Sequence, residues 1–370
     1  MSQAIRVLHV LGGLDIGGAE TFVMNVYRAL DRTAIQFDFV KHTNKNQFFD
    51  NEIRQLGGKI FSCPRYNVVN HFEYCKWWKK FFATHTEYCI IHGHVRSTAS
   101  LYMPIAKKYG LKTIIHSHST SNGTGISAFV KTVLQYPIRY QADYFFACSD
   151  AAGEWLFGKK IMKGGRYYKI QNAVDIETSR LNLEVRKKYR EELKLEDKIV
   201  YAHVGRLHES KNHMFLIEVF SELLAVQPNA VLLIVGDGDL REQIEKKVDE
   251  LQMGRAIKML GSRDDVSNIL QASDCFLFPS KWEGLPVTVV EAQAAGLPCF
   301  VSDRVTREVG VSELVNYLPI DKGTKLWVDA IRRQDCTRRD VTEKIRAAGF
   351  DVRTLAKWMK DFYGSLWRDE

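Results

Sequence analysis

The stretch DCFLFPSKWEGLPVTVVEAQAAGLPCFV, Asp274–Val301, decides the fold. Cys275–Phe278 is apolar on consecutive positions, which suits a strand buried on both faces rather than one with a wet side. A turn follows, and a helix is expected to begin near Pro286. Proline fits the first helical turn because the N–H it lacks would have no intrahelical partner there. Pro298–Val301 then returns as another strand. Strand alternating with helix predicts a parallel sheet covered by helices.

The same pattern runs outward in both directions. Ile5–Leu11, Phe37–Lys41, Cys89–Ile91, Lys112–Ile115 and Tyr144–Ala147 read as strands in the first half. Ile199–Val204, Ala230–Val235 (in AVLLIVG) and Ile257–Leu260 join Cys275–Phe278 and Pro298–Val301 in the second. The expected fold class is therefore α/β, as two doubly wound Rossmann-like domains, and 370 residues is enough for two such cores. The seam is expected within KIQNAVDIETSR, Lys169–Arg180, close to Val174. A terminal helix over Thr354–Trp367 carries Leu355, Trp358, Phe362 and Leu366 at helical spacing.

Composition narrows the class. An apolar fraction of 45% with 26% charged residues excludes a disordered chain and a small disulfide scaffold. Seven scattered cysteines without a C-x-x-C suit a reducing compartment rather than a disulfide framework or a zinc site. The start, MSQAIRVLHVLGG, reads straight into a strand rather than a secretory h-region. No apolar run reaches the ~20 residues of a membrane-spanning helix. The expectation is a cytoplasmic protein, at most peripheral at the inner face of the cell membrane. The net charge of +8 is uneven: residues 1–175 hold 22 Lys+Arg against 12 Asp+Glu, and residues 176–370 hold 30 against 32. A basic half could face nucleic acid, an anionic membrane or a phosphorylated substrate. No RNA-recognition signature, zinc module or basic arm accompanies it, which disfavours nucleic acid.

In open α/β sheets ligands bind beyond the carboxyl ends of the strands, so residues just after strands carry the chemistry. Glu283 and Glu291 flank the start of the 286 helix, whose N-terminal N–H groups suit an anion. Arg206 and Lys211 lie in VGRLHESKN, Val204–Asn212, and could grip phosphate. LGGLDIGGAE, Leu11–Glu20, is glycine-rich, but its spacing is neither G-x-G-x-x-G nor a P-loop. Asp237-Gly238-Asp239 is a D-x-D, a pattern that can hold a divalent metal. His92 and His94 end one strand and His116 and His118 another, each pair two residues apart and so on one side of an extended chain. A core histidine bonded to backbone is the plain reading of His92.

Six ordered motifs together resemble glycosyltransferase family 4, of the GT-B fold: GGAE at 17–20, NAVD at 172–175, GRLHESKN at 205–212, VGDG at 235–238, LGSRDDV at 260–266, and the two glutamates eight apart. The likeness spans nearly the whole chain. It implies a retaining transferase that uses a nucleotide-diphosphate sugar, with UDP-sugars first and GDP-mannose second, mostly without a metal or other cofactor. It implies an acceptor-binding domain over 1–173 with 354–370, the terminal helix crossing back to it, and a donor-binding domain over 174–353, facing across a cleft. Arg206 and Lys211 match the pair that holds the donor diphosphate, Glu291 the ribose-binding glutamate, and Glu283 the one near the donor sugar. Gly284, Leu285 and Pro286 form the loop between the glutamates. Gly261 and Arg263 lie where the family meets the nucleobase, largely through backbone, and Gly17 and Gly18 approach the donor phosphate. His118 resembles the histidine near the transferred sugar, with His116 as its rival. His94 and Arg96 are expected on the acceptor side.

The implied partners are a nucleotide sugar and a lipid-linked or saccharide acceptor of capsular or exopolysaccharide synthesis. The basic first half adds an anionic membrane surface. One departure is Asn172-Ala173 in place of the usual Asn-Gly, which would strain the chain if that position needs a positive φ. In FEYCKWWKKFFATH, Phe72–His85, lysines alternate with aromatics. Such a helix suits either a membrane interface or a packed aromatic face with solvated lysines. The alternative overall reading is a non-catalytic nucleotide-sugar-binding member of the same fold.

Overall fold

The computed structural model describes residues 4–119 and 125–368, and the chain divides into two compact units, 1–173 with 352–370, and 174–351. In the first unit, seven strands form one sheet: β1 (Ile5–Leu11), β2 (Ile35–Lys41), β3 (Ile60–Ser62), β4 (Ile90–Gly93), β5 (Lys112–Ser117), β6 (Tyr144–Ala147) and β7 (Tyr167–Lys169). They are ordered β3-β2-β1-β4-β5-β6-β7, with every pair parallel. The second unit orders β8 (Ile199–Val204), β9 (Ala230–Val235), β10 (Ile257–Gly261), β11 (Cys275–Phe278), β12 (Cys299–Ser302) and β13 (Val315–Leu318) as β10-β9-β8-β11-β12-β13, again all parallel. Both sheets are doubly wound, as the alternation predicts. The reversal of strand order beside β1 and β8 marks where each sheet opens a crevice at its carboxyl edge.

Three strands escape the sequence reading, β3, β7 and β13, and all three lie at sheet edges. Their residues are half-buried or exposed, so they lack the continuous apolar run by which β9 and β11 declare themselves. The helix after β11 runs Val287–Ala294 with Pro286 as its N-cap, so proline stands one position before the first helical residue rather than within it.

The terminal helix runs Val352–Arg368 and belongs to the first unit. Val352, Ala356, Met359, Tyr363 and Leu366 follow the 3.6-residue period into the core around Val7, Phe37 and Ile114. Phe362 joins them, while Leu355 and Trp358 only flank the core, so the buried stripe is turned from the expected one. Ala173 does not take a positive φ, so alanine there is unstrained. Val174 N–H donates to the Phe350 carbonyl at 2.8 Å, which ties together the two ends of the second unit.

Helix His71–Thr84 settles the aromatic stretch mostly towards packing. Trp78, Phe81 and Phe82 are buried and Trp77 half-buried, while Lys76, Lys79 and Lys80 are exposed. Tyr74 is buried as well, and Phe72 alone among the six aromatics projects, at 87% exposure. No helix among the described residues is long and apolar enough to cross a membrane.

Candidate active site

In the second unit the loop Gly205–Asn212 leaves β8, and the loop Pro279–Pro286 leaves β11. Asn212 ties them by donating from its side-chain amide to the Pro279 carbonyl at 3.2 Å, and Lys281 N–H donates to the Ser210 carbonyl at 2.7 Å. This brings Lys211 and Glu283 together. The ammonium donates to Glu283 Oε1 at 2.7 Å and stands 4.7 Å from the centre of the Phe278 ring. Both side chains are largely buried, 15% and 13% exposed, so the pair is screened less than a surface bridge. The glycines of these loops have packing reasons. Gly236 has φ +135°, and a Cβ there would run into the Gly205 carbonyl oxygen. A Cβ on Gly205 would stand 2.8 Å from Lys211 Cε, so glycine clears the path of that side chain.

Arg206 is exposed and donates to Asp239 Oδ2 at 3.2 Å, so its fold partner is Asp239 and not Glu283. Asp237 pairs with Arg241 at 3.3 Å and also accepts from Gly238 N–H at 2.8 Å. Both D-x-D carboxylates therefore have cationic partners, that of Asp239 in the loop after β8 and that of Asp237 at the start of the next helix. Glu291 lies on the second turn of the Val287–Ala294 helix, where burial pushes its carboxyl up to about 7. That helix has no side-chain cap, so its first N–H groups remain available to an anion. Gly284 is half-buried, and Leu285 and Pro286 are buried beneath the loop surface. Gly261 ends β10 with φ +67°. Arg263 is gripped by Asp265 through Nε at 2.7 Å and Nη2 at 2.5 Å.

In the first unit, Gly17 caps and Gly18 begins the helix Gly18–Ala29. Glu20 reaches back over Gly17, and burial together with Asp15 raises its carboxyl to about 7. The register then assembles the histidines. His9 of β1 pairs with His92 of β4, and His92 with Ile114 of β5, so His94 and His116 come level just beyond. His9 Nδ1 lies 3.0 Å from His94 Nε2, and His94 Nδ1 lies 2.8 Å from His118 Nε2. His116 stacks on His118 with ring centres 4.0 Å apart. His92 Nδ1 lies 2.7 Å from the Tyr363 hydroxyl, so its partner is a side chain of the terminal helix rather than backbone.

Burial lowers every one of these imidazoles. His9, His92, His94 and His116 fall well below the usual range and His118 falls to about 3, helped by the charge of Arg96. The cluster is neutral at pH 7. His116 is wholly buried and His118 half-buried, so of the two rivals His118 is the one with a surface to offer. Arg96 donates to the Ser119 carbonyl at 3.4 Å and lies 4.7 Å over the Trp155 ring. The sequence reading missed His9 and Glu20. The parity of His9 with the pair 92 and 94 shows only once β1 and β4 are known to be neighbours.

Two parallel doubly wound units, with Lys211 and Glu283 paired beyond β8 and β11, have the architecture of the GT-B class of glycosyltransferases. Comparison with known proteins agrees. A family profile described as "Glycosyl transferases group 1" matches residues 185–332, and one described as "Glycosyltransferase Family 4" matches residues 16–178. The Bacillus subtilis protein EpsF, named as a glycosyltransferase, is 31% identical over 361 residues, 95% of this chain and 94% of EpsF. The capsular polysaccharide biosynthesis glycosyltransferase CapH of Staphylococcus aureus is 23% identical over 98% of this chain and 99% of CapH. The crystal structure of Anabaena HepE, in complex with UDP and glucose, superposes with a TM-score of 0.77 at 18% identity, covering 98% of this chain and all of that one. The chain belongs to glycosyltransferase family 4 and is a glycosyltransferase.

Proposed function

We propose that this enzyme transfers a sugar from a nucleotide-diphosphate sugar to a lipid-linked or saccharide acceptor in the synthesis of a capsular or exopolysaccharide, with retention of configuration. A UDP-sugar is the first expectation for the donor and GDP-mannose the second. The observation that carries the reading is the Lys211–Glu283 pair, fixed between two strand-end loops and beside an uncapped helix N-terminus. HepE, crystallised with UDP and with UDP-glucose, supports the UDP preference, and CapH the capsular context.

In the proposed reaction the bond from the sugar's anomeric carbon to the diphosphate breaks. A bond from the acceptor oxygen forms on the same face, and the acceptor proton passes to the departing phosphate oxygen. Lys211 and Arg206 stabilise the negative charge that develops there, and Glu283 holds Lys211 in position. Glu291 accepts hydrogen bonds from the ribose, Gly17 and Gly18 approach the phosphates, and His118, rather than His116, faces the transferred sugar. The proposed reaction uses no metal at the donor site, with Asp237 and Asp239 serving as partners of Arg241 and Arg206 in the free enzyme. Asp237→Asn then keeps activity within about threefold, where loss of a metal ligand would remove most of it.

For a membrane surface, the exposed row Phe129, Val133, Tyr136 and Tyr140 with Lys131 is a better candidate than the 72–85 helix.

The test incubates the enzyme with a panel of nucleotide sugars and short lipid-linked and free saccharide acceptors, and reads the product anomer by NMR. Transfer from one donor with an unchanged anomer is expected. Nucleotide binding without transfer from any donor would favour the non-catalytic reading, and an inverted anomer would overturn retention.

A further inference from the structure

We infer that His94, His116 and His118 form a binding site for a first-row transition-metal dication of the Zn²⁺ kind, held by three imidazole nitrogens with a fourth position open. One ring nitrogen from each lies within 4.8 Å of the other two. A tetrahedral ion with Zn–N bonds of ~2.0–2.1 Å needs nitrogens ~3.4 Å apart. That spacing falls between the 2.8 Å of His94 Nδ1 to His118 Nε2 and the 4.8 Å limit, so small rotations of the rings suffice.

The second observation is His116. It is wholly buried, yet among the described residues neither of its ring nitrogens has a partner within hydrogen-bond reach, and His118 Nδ1 has none either. A buried imidazole with two unpartnered nitrogens carries a desolvation cost that ligation of a cation removes. The donor set is all nitrogen, which suits zinc, copper or nickel and not magnesium or calcium.

The surroundings complete the site. His9 Nδ1, 3.0 Å from His94 Nε2, orients His94 from behind, the place where metal-binding histidines usually find a partner. Phe22 packs edge-on against His116 and tilted on His118, at 5.0 and 5.4 Å, and supplies an apolar wall. His9, His92 and His94 also bring three nitrogens within 4.8 Å, but all three residues are buried. Half-buried His118 gives the chosen set a way in. Arg96 is the nearest adverse charge, and it favours an anionic oxygen as the fourth ligand.

The experiment titrates Co²⁺ into full-length enzyme stripped with chelator and reads the visible absorption, then displaces the ion with Zn²⁺. One equivalent per chain is expected, with the intense bands of a tetrahedral nitrogen site. His116→Gln and His118→Gln each weaken binding at least tenfold, while His208→Gln, at an exposed histidine elsewhere, leaves it unchanged. His118→Gln decides the matter, since its half-exposed position tolerates the change, and an unchanged near-UV circular dichroism spectrum certifies the fold. Substoichiometric or octahedral binding, or full affinity in a folded His118→Gln protein, overturns the site. The readout is metal binding, so it stands apart from the success or failure of the transfer assay.

Discussion

The carboxyl edges of the two sheets are built from opposite materials. Beyond β8 and β11 stand ions: Lys211 against Glu283, and Arg206 against Asp239. At the ends of β1, β4 and β5 stand neutral aromatic rings, five histidines stacked or tilted on one another and kept uncharged by burial. The difference reverses what the charge count suggests. The basic half of the chain carries most of its cations on its surface; Lys41, at the end of β2, is buried against Asp50, and Arg96 is the cation beside the histidines. The nearly neutral half has more cations, 30 against 22, but balances them with 32 acids, and it places Arg206 and Lys211 where phosphate is proposed to bind. Net charge therefore describes the surface a domain shows at long range, and local pairing describes its site.

The largest effect expected from breaking the ionic edge is Lys211→Ala. It removes the cation and leaves Glu283 largely buried without its partner. Steady-state kinetics should show kcat/KM down by ~10²–10³-fold, the scale of losing one preorganised electrostatic group. A decrease under threefold would mean that the charge is not used on the leaving group.

Next is Gly236→Ala, which tests whether the ionic edge depends on backbone contact. The new Cβ meets the Gly205 carbonyl at a φ that alanine rarely takes. We expect about 2–4 kcal/mol of destabilisation by denaturant unfolding, with the loss confined to the second unit.

The buried carboxyl Glu291 gives a pH test of moderate size. Its folded pKa, about 7, is above the ordinary 4.5. Such a group contributes its stability fully below the unfolded value, and that contribution is lost as pH rises from about 4.5 through about 7. Replacing it with the neutral isostere in Glu291→Gln should leave stability at pH 4 unchanged. At pH 8 it should raise stability by on the order of 2 kcal/mol, measured by thermal unfolding of the ligand-free protein. A gain of equal size at both values would point to packing instead of ionisation.

The smallest effect belongs to the aromatic edge. Tyr363→Phe removes the hydroxyl beside His92 Nδ1 and leaves a buried ring nitrogen unpartnered, at a cost of about 1 kcal/mol. A neutral outcome would show that the terminal helix is held by its apolar stripe alone.

Much of the fold was legible because central strands of parallel sheets are apolar on most consecutive positions. β1, β6, β8, β9 and β11 were located to the residue from that signal. The edge strands were not, since Ile60–Ser62, Tyr167–Lys169 and Val315–Leu318 are short and half-wet, and their sequences differ little from loops. The ionic edge was legible too, because Arg206, Lys211, Glu283 and Glu291 sit in local strings tied to strand ends. The aromatic edge was legible only in part. HGH and HSH announce paired histidines, but nothing in either string says that the pairs touch, or that His9 joins them.

The sequence by itself determined the strand-and-helix alternation, the family, and the short strings that bear the site residues, because each is a pattern carried by near neighbours in the chain. Tertiary structure decided which chemistry those strings make. It drew Lys211 to Glu283 across 72 residues and His9 to His94 across 85. It also left four of the six aromatics of the 72–85 stretch buried and Phe72 in water. The reason is that pairing, burial and neutrality are properties of a neighbourhood. The neighbours of a strand end come from other strands, whose order and register are fixed only when the whole sheet has formed.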